Sequence, residues 1–554
     1  MKPSPSYAVL LTLIFFHATQ AQKIVYSPPE KTDYNRFRFE VITKRDGKIL
    51  VFKALYYGNP FHRQPSAAFR QSYSNPNPLH DNDGAATGPD NSIEGSALCM
   101  YDSDMHIISE KTLPLPREIT GVHFLVYDTF FYVFYQHRIR HTIYCLATKV
   151  GMDGEIIGPA VKMDSTEVFD INYQSQIYSV IYSEDKQQIL AFNINLHRTF
   201  TVKSATVKSI LFDKDLHPLR TTSLPLSMDA SQYLSEFNID NEGNFIFVGM
   251  NGKAKPHDEM QAALFVQPRT RDSLYTTYFV PGTISVDNVR LLIDNKNKKY
   301  ILSSFYSRRP EASIEGLFCF IHDAKGYLPG KASLTVLSDS LRRAAKKSGI
   351  KMSLNDYYIQ DLHLRANGSF TIEAQQLNSN PDEQFISRWN YLPELKEQVA
   401  TEFAWYDPYE NDHYYPWKLW HRSGSYPLPR YTFSSRGTLI TSFDSAGLIE
   451  WVNVINTPQF DMIDVALGYK TIIANGLLYF LFNTRIRQST FLSARSIDAA
   501  GTLDTDTRFR EDLALRDQDN AYECFPRLAK VIDAGEIIVP CRKGGYFCLA
   551  KINF

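Results

Sequence analysis

Residues 41–52 read V-I-T-K-R-D-G-K-I-L-V-F. Apolar residues flank Asp46-Gly47, a dipeptide that enters left-handed backbone at little cost, so the stretch predicts two antiparallel strands joined by a tight turn. The same hairpin returns as F-N-I-D-N-E-G-N-F-I-F-V (237–248) and L-L-I-D-N-K-N-K-K-Y-I-L (291–302). Further copies are L-R-A-N-G-S-F-T-I (364–372), I-I-A-N-G-L-L-Y-F (472–480) and V-I-D-A-G-E-I-I-V (531–539). Weaker copies around Asp128 and Glu184-Asp185 bring the number to eight.

A second hairpin alternates with the first. It places an apolar strand, an aspartate turn and a short amphipathic strand in that order, as in L-C-M-Y-D-S-D-M-H-I (98–107) and I-L-F-D-K-D-L-H-P-L (210–219). F-C-F-I-H-D-A-K-G-Y (318–327), I-T-S-F-D-S-A-G-L-I-E-W (440–451) and A-R-S-I-D-A-A-G-T-L (494–503) repeat it. Weaker copies at 152–154 and 267–272 make seven. Two hairpins form a four-stranded antiparallel sheet, which cannot bury both faces alone, so copies must stack. The expected fold is all-β, a β-propeller of eight four-stranded blades. Seven blades, or a pair of β-sandwiches, are the alternatives. The chain ends at G-Y-F-C-L-A-K-I-N-F, the third strand of an eighth blade with no fourth. Residues 23–26 (K-I-V-Y) are the free strand predicted to complete that blade and remove its exposed edge.

The N-terminus predicts export. Lys2 supplies a positive charge, residues 7–16 are apolar but for Thr12, and Thr19 and Ala21 stand at the −3 and −1 positions of a cut after Ala21. The apolar run is too short to span a bilayer. The expected mature chain is a single propeller domain, residues 22–554, periplasmic or extracellular and monomeric, with insertions at 58–94 and 379–430. Formal charge is −1, which offers no general attraction for nucleic acid. No later segment is apolar for long enough to span a membrane.

Six cysteines in so long a chain are not a disulfide scaffold, and without a C-x-x-C pair they predict no zinc site. Cys99, Cys145, Cys319 and Cys548 share apolar contexts and read as buried thiols in equivalent strands. Cys524 and Cys541 flank one predicted hairpin, and in an exported protein are the pair to bridge. Residues 79–90 place Asp81, Asp83, Gly84 and Asp90 as in a calcium loop, but Leu79 occupies the first ligand place, so no metal is expected. Short helices are predicted at 338–347 and 393–399.

The second insertion holds the candidate site. All five tryptophans lie between residues 389 and 451, and W-Y-D-P-Y-E-N-D-H-Y-Y-P-W-K-L-W-H-R fills 405–422. Trp405, Tyr406, Tyr414, Trp417 and Trp420 offer flat, rigid faces that stack on sugar rings. Asp407, Glu410, Asp412 and His413 are placed to hydrogen-bond hydroxyls beside them. The alternative is a satellite core that anchors the insertion. Asp407, Glu410 and Asp412 also suit acid–base cleavage of a glycoside.

The turn S-F-D-S-A-G-L-I-E-W (442–451) resembles the Asp-box of sialidases, with one residue more between Asp444 and Gly447. It is similar also to the tryptophan repeats of quinoprotein dehydrogenases, although only Trp451 occupies such a place. The whole pattern resembles uncharacterised secreted β-propeller proteins of Gram-negative bacteria, a resemblance that implies a fold and a compartment but no active residues. Residues and resemblance together predict a binding or scaffold propeller without cofactors, engaging a glycan, peptide or envelope protein. A carbohydrate-active enzyme is the alternative.

Overall fold

The computed structural model describes residues 24–554 except 32–36, 57–92, 118, 168–177, 199–202, 229–231, 252–261, 287–288, 310–311, 327–329, 338–342, 345–352, 377, 381–431, 462–467, 487–488, 505–522 and 544–545. It is an eight-bladed β-propeller.

Each blade begins at the axis. The innermost strands are Phe37–Arg45, Ile119–Val126, Tyr178–Tyr182, Gln232–Ile239, Arg290–Asp294, Tyr357–Leu364, Tyr469–Ala474 and Lys530–Asp533, for blades 1 to 8 in turn. The first touches both the second and the eighth, the second touches the third, the third the fourth, and the fifth the sixth. Each pairs antiparallel with a second strand across one of the eight predicted hairpin turns. Outer strands such as Ile107–Thr112 and Lys331–Val336 are mostly exposed, whereas Tyr178–Tyr182 is buried almost throughout. The innermost strands vary, from Tyr178–Tyr182 to the mostly exposed Lys530–Asp533; outer strands meet water on one face.

The ring is held by what lies between blades. Among the described residues, eight clusters of buried side chains each straddle one pair of neighbours. Ile42, Leu50 and Phe52 meet Phe131 and Val133 between blades 1 and 2. The same holds for each successive pair, up to Ile472 and Leu481 against Ile537 and Val539 between blades 7 and 8. The eighth cluster packs Val41, Ile49, Val51 and Tyr101 of blade 1 on Ile538 and Leu549 of blade 8. Eight interfaces around one ring exclude the seven-bladed count and the paired sandwiches.

Closure occurs as predicted. Ile24–Tyr26 pairs antiparallel with Tyr546–Asn553, with Ile24 opposite Ile552 and Tyr26 opposite Ala550. Ser27 N–H donates to the Leu549 carbonyl at 2.8 Å, and Leu549 N–H donates to Ser27 Oγ at 2.9 Å. Glu30–Lys31 pairs again with the same strand, and Glu30 reaches across to blade 1, where buried Lys53 Nζ lies 2.7 Å from its Oε1. Burial alone would lower the Lys53 ammonium, but Glu30 outweighs it and holds the group above its ordinary value. Lys23 and the predicted leader lie outside the described residues.

Most of both predicted insertions, residues 57–92 and 381–431, lies outside the described residues. At the edge of the second, Asn378–Asn380 pairs with residues 432–434. At the edge of the first, Ile93 pairs with Tyr56. Of the helix predicted at 338–347, Arg343 and Ala344 are described and are helical; residues 393–399 lie outside the described set.

Candidate functional site

Polar side chains gather where the innermost strands of blades 4 to 7 face one another. Their position follows from a local irregularity. Between Ser235 and Asn238 the blade 4 ladder slips, and Glu236 takes left-handed backbone, φ 55°. Such a bulge re-aims one side chain out of the strand's alternation. Glu236 is thereby carried to blade 5, where its Oε2 accepts from Leu291 N–H at 2.8 Å and its Oε1 lies 3.6 Å from Arg290 Nη1. Burial pushes the Glu236 carboxyl up, and Arg290 opposes that shift. Arg290 in turn donates through Nη2 to the Gln360 carbonyl of blade 6, at 3.1 Å.

Blade 6 continues the chain of contacts. His363 Nε2 stands 3.0 Å from Oε1 of Glu373, which is wholly buried on the adjacent strand, and 3.7 Å from Asp361 Oδ2. Thr471 Oγ1 of blade 7 lies 3.2 Å from the same nitrogen. Burial alone would lower His363, but Glu373 and Asp361 outweigh it and push the imidazole up to about 9. The imidazole is thereby held toward its protonated form beside Glu373; burial pushes that carboxyl up as well, and His363 opposes the shift. A histidine held protonated can donate or anchor but cannot act as a general base there. Glu236 and Glu373 are likewise engaged by Arg290 and His363. The chemistry of this wall is that of cross-bracing, with Asp361, one-third exposed, its most accessible carboxylate.

Neutral groups brace other inner strands in the same manner. Gln136 Nε2 donates to the Tyr178 carbonyl at 2.9 Å and Gln136 Oε1 accepts from Tyr178 N–H at 3.0 Å, joining blades 2 and 3. Gln459 does the same with Gly468, at 2.9 and 2.8 Å.

Trp405, Tyr406, Asp407, Glu410, Asp412, His413, Tyr414, Trp417 and Trp420 all lie outside the described residues. The roots of their insertion are described. Phe370–Gln376 carries Glu373 and leads into it, and Thr432–Phe443 leaves it. Both insertions connect the second strand of a blade to the third, so both are rooted at the end of the ring opposite the hairpin turns. Trp451 is described, and it serves structure: its Nε1 donates to the Ala499 carbonyl of blade 7 at 3.0 Å. Cys524 and Cys541 face each other in register. Among the described residues no group of three or more His, Cys, Asp or Glu is placed to hold a metal ion, and no helix is long and apolar enough to cross a membrane.

No family profile and no curated protein matches the chain. Solved structures do. The polysaccharide lyase Uly1 is 10% identical, with a TM-score of 0.38 over 94% of this chain and 99% of its own. The WD40 domain of SCAP from fission yeast is 6% identical, with a TM-score of 0.36 over 96% and 98%. A prolyl endopeptidase is 7% identical, with a TM-score of 0.38 over 92% of this chain, which spans only 55% of that enzyme.

Proposed function

We propose that the protein is an exported binding or scaffold propeller, of the kind found in the secreted propeller proteins of Gram-negative bacteria, and that it engages a glycan, peptide or envelope protein through the aromatic insertion of blade 6. The observation that carries this reading is the division between the two ends of the ring. The hairpin turns lie at one end, while both long insertions are rooted at the other. A braced ring with variable connections at one end is a rigid platform for a binding surface. Arg290 and His363 on the inner strands reach the neighbouring blade, which supports a rigid, braced platform.

Export is compatible with the closure. The final strand of the ring starts at Ile24, so a cut after Ala21 leaves it whole. Mass spectrometry of the secreted chain should find Gln22 at its N-terminus.

Binding to an array of glycans, with the bound glycan analysed afterwards, tests the main reading. Intact ligand is expected, with affinity reduced at least tenfold in the double variant Trp417→Ala/Trp420→Ala. Unchanged binding in that variant would remove the site from the insertion. Cleaved product, lost in Asp407→Asn or Glu410→Gln while the fold persists, would replace the binding reading with an enzymatic one.

A further inference from the structure

The closing blade brings three cysteines together. Cys524 lies in the short strand Glu523–Cys524, Cys541 in Glu536–Lys543 and Cys548 in Tyr546–Asn553. In register, Cys524 stands opposite Cys541, and Cys541 opposite Cys548. All three are buried thiols.

The ladder distinguishes the two pairs. Phe525 N–H donates to the Pro540 carbonyl at 2.8 Å, so the residues one step beyond Cys524 and Cys541 form a hydrogen-bonded pair. Pairs alternate along an antiparallel ladder, and Cys524 and Cys541 are therefore a non-hydrogen-bonded pair, in which side chains approach most closely. The Pro540 carbonyl points toward Phe525, so the polar groups of Cys541 point the other way, toward Cys548. Cys541 and Cys548 are then a hydrogen-bonded pair, in which the side chains stand further apart. A disulfide requires close β-carbons, and only the first pair supplies them. The sulfurs of Cys524 and Cys541 lie 2.9 Å apart, inside the contact distance of two unbonded sulfur atoms.

We propose that Cys524 and Cys541 form a disulfide when the chain folds in an oxidising medium, and that Cys548 remains a thiol beside it. In the step the two thiols give up two electrons and two protons to an organic disulfide, which departs as two thiols. The bond fastens the segment entering blade 8 to that blade's second strand. Burial holds the Cys541 thiol well above its ordinary value, and a buried, protonated thiol attacks slowly. Oxidation therefore belongs to folding, before the blade closes.

Trypsin separates the three cysteines, into peptides 517–527, 531–542 and 544–551. The full chain is refolded in a mixture of reduced and oxidised glutathione, denatured, alkylated without reduction and digested. The expected result is peptide 517–527 linked to 531–542, with Cys548 alkylated. Three alkylated cysteines, or a link between 531–542 and 544–551, would overturn the proposal. The link should persist in Cys548→Ser. In Cys524→Ser both remaining cysteines should be alkylated, and a Cys541–Cys548 link there would refute the register argument. Because refolding supplies its own oxidant, this test is independent of whether the protein is exported.

Discussion

Met105 and Leu216 occupy left-handed backbone, φ 64° and 63°, at the turn position that glycine fills in Gly326, Gly447 and Gly501. A side chain there costs about 1 kcal/mol. Each is nevertheless buried, Met105 between blades 8 and 1 and Leu216 between blades 2 and 3. Burial of such a side chain is worth about 1.5–3 kcal/mol, which offsets the strain. The turn aspartates act in the same way across blades. Asp240 Oδ1 accepts from Glu242 N–H and Asn244 N–H, both at 2.9 Å, while Oδ2 accepts from Tyr300 Oη of blade 5 at 2.7 Å. Asp240→Ala should destabilise the fold by about 2–3 kcal/mol, since it leaves the buried Tyr300 hydroxyl unsatisfied and frees two turn N–H groups. Tyr300→Phe, which removes one of those bonds, should cost about 1 kcal/mol. Urea titration of both variants compares them; equal losses would contradict the ranking.

At the scale of the element, the recurring device is a slip in the innermost strand. Registers shift at Val41/Thr43, Thr120/His123, Ser235/Asn238, Ile359/Asp361 and Val531/Asp533. In blade 4 the slip places Glu236 against Arg290. In blade 6 it precedes His363, whose contact with Glu373 has a pH signature. A folded-state value near 9, above the ordinary 6.5, gives stabilisation that is fully present below pH 6.5 and lost as pH rises through about 9. Burial raises Glu373 as well, so its contribution is fully present below its ordinary 4.5 and falls as pH rises above that. The expected loss between pH 7 and 9.5 is about 1–3 kcal/mol. Glu373→Gln removes the partner that retains the proton and should flatten this slope. Unfolding midpoints of wild type and variant across that range decide it, and parallel curves would disprove the assignment. The hairpins around these strands were legible in the sequence, because turn residues recur at fixed places. The bracing wall was not. Glu236, His363 and Glu373 stand in Y-L-S-E-F-N-I, D-L-H-L and F-T-I-E-A, where each looks like an ordinary polar interruption. A charge inside a strand adjoining a turn was the available signal, but its partner lies in another strand or another blade.

For the whole molecule, stability depends on joining the ends. Blade 8 takes its outermost strand from the start of the chain, and Glu30 then ties the same segment to Lys53 of blade 1. The ladder turns the Val25 N–H toward Lys551, since the Ser27–Leu549 pair two residues on is hydrogen-bonded. Val25→Pro should cost about 3 kcal/mol, by deleting that donor and distorting a three-residue strand. The loss should appear in denaturant as a shift of the entire transition, because opening one blade exposes the clusters on either side of it. A separate early phase confined to blade 8 would show that the ring does not unfold as one unit.

Local chemistry alone determined the hairpins, their eightfold recurrence and the missing last strand. Turn residues and apolar alternation are properties of neighbouring positions, and the absent strand is a matter of counting. The same reading marked residues 379–430 as the longest stretch that the repeat does not explain. Only the tertiary structure decided that there are eight interfaces, which inner-strand charges meet, and why the predicted Cys524–Cys541 pair stands closer than Cys541 and Cys548. Those depend on ring curvature, ladder slips and the alternation of hydrogen-bonded pairs, all of which relate residues as much as 522 positions apart.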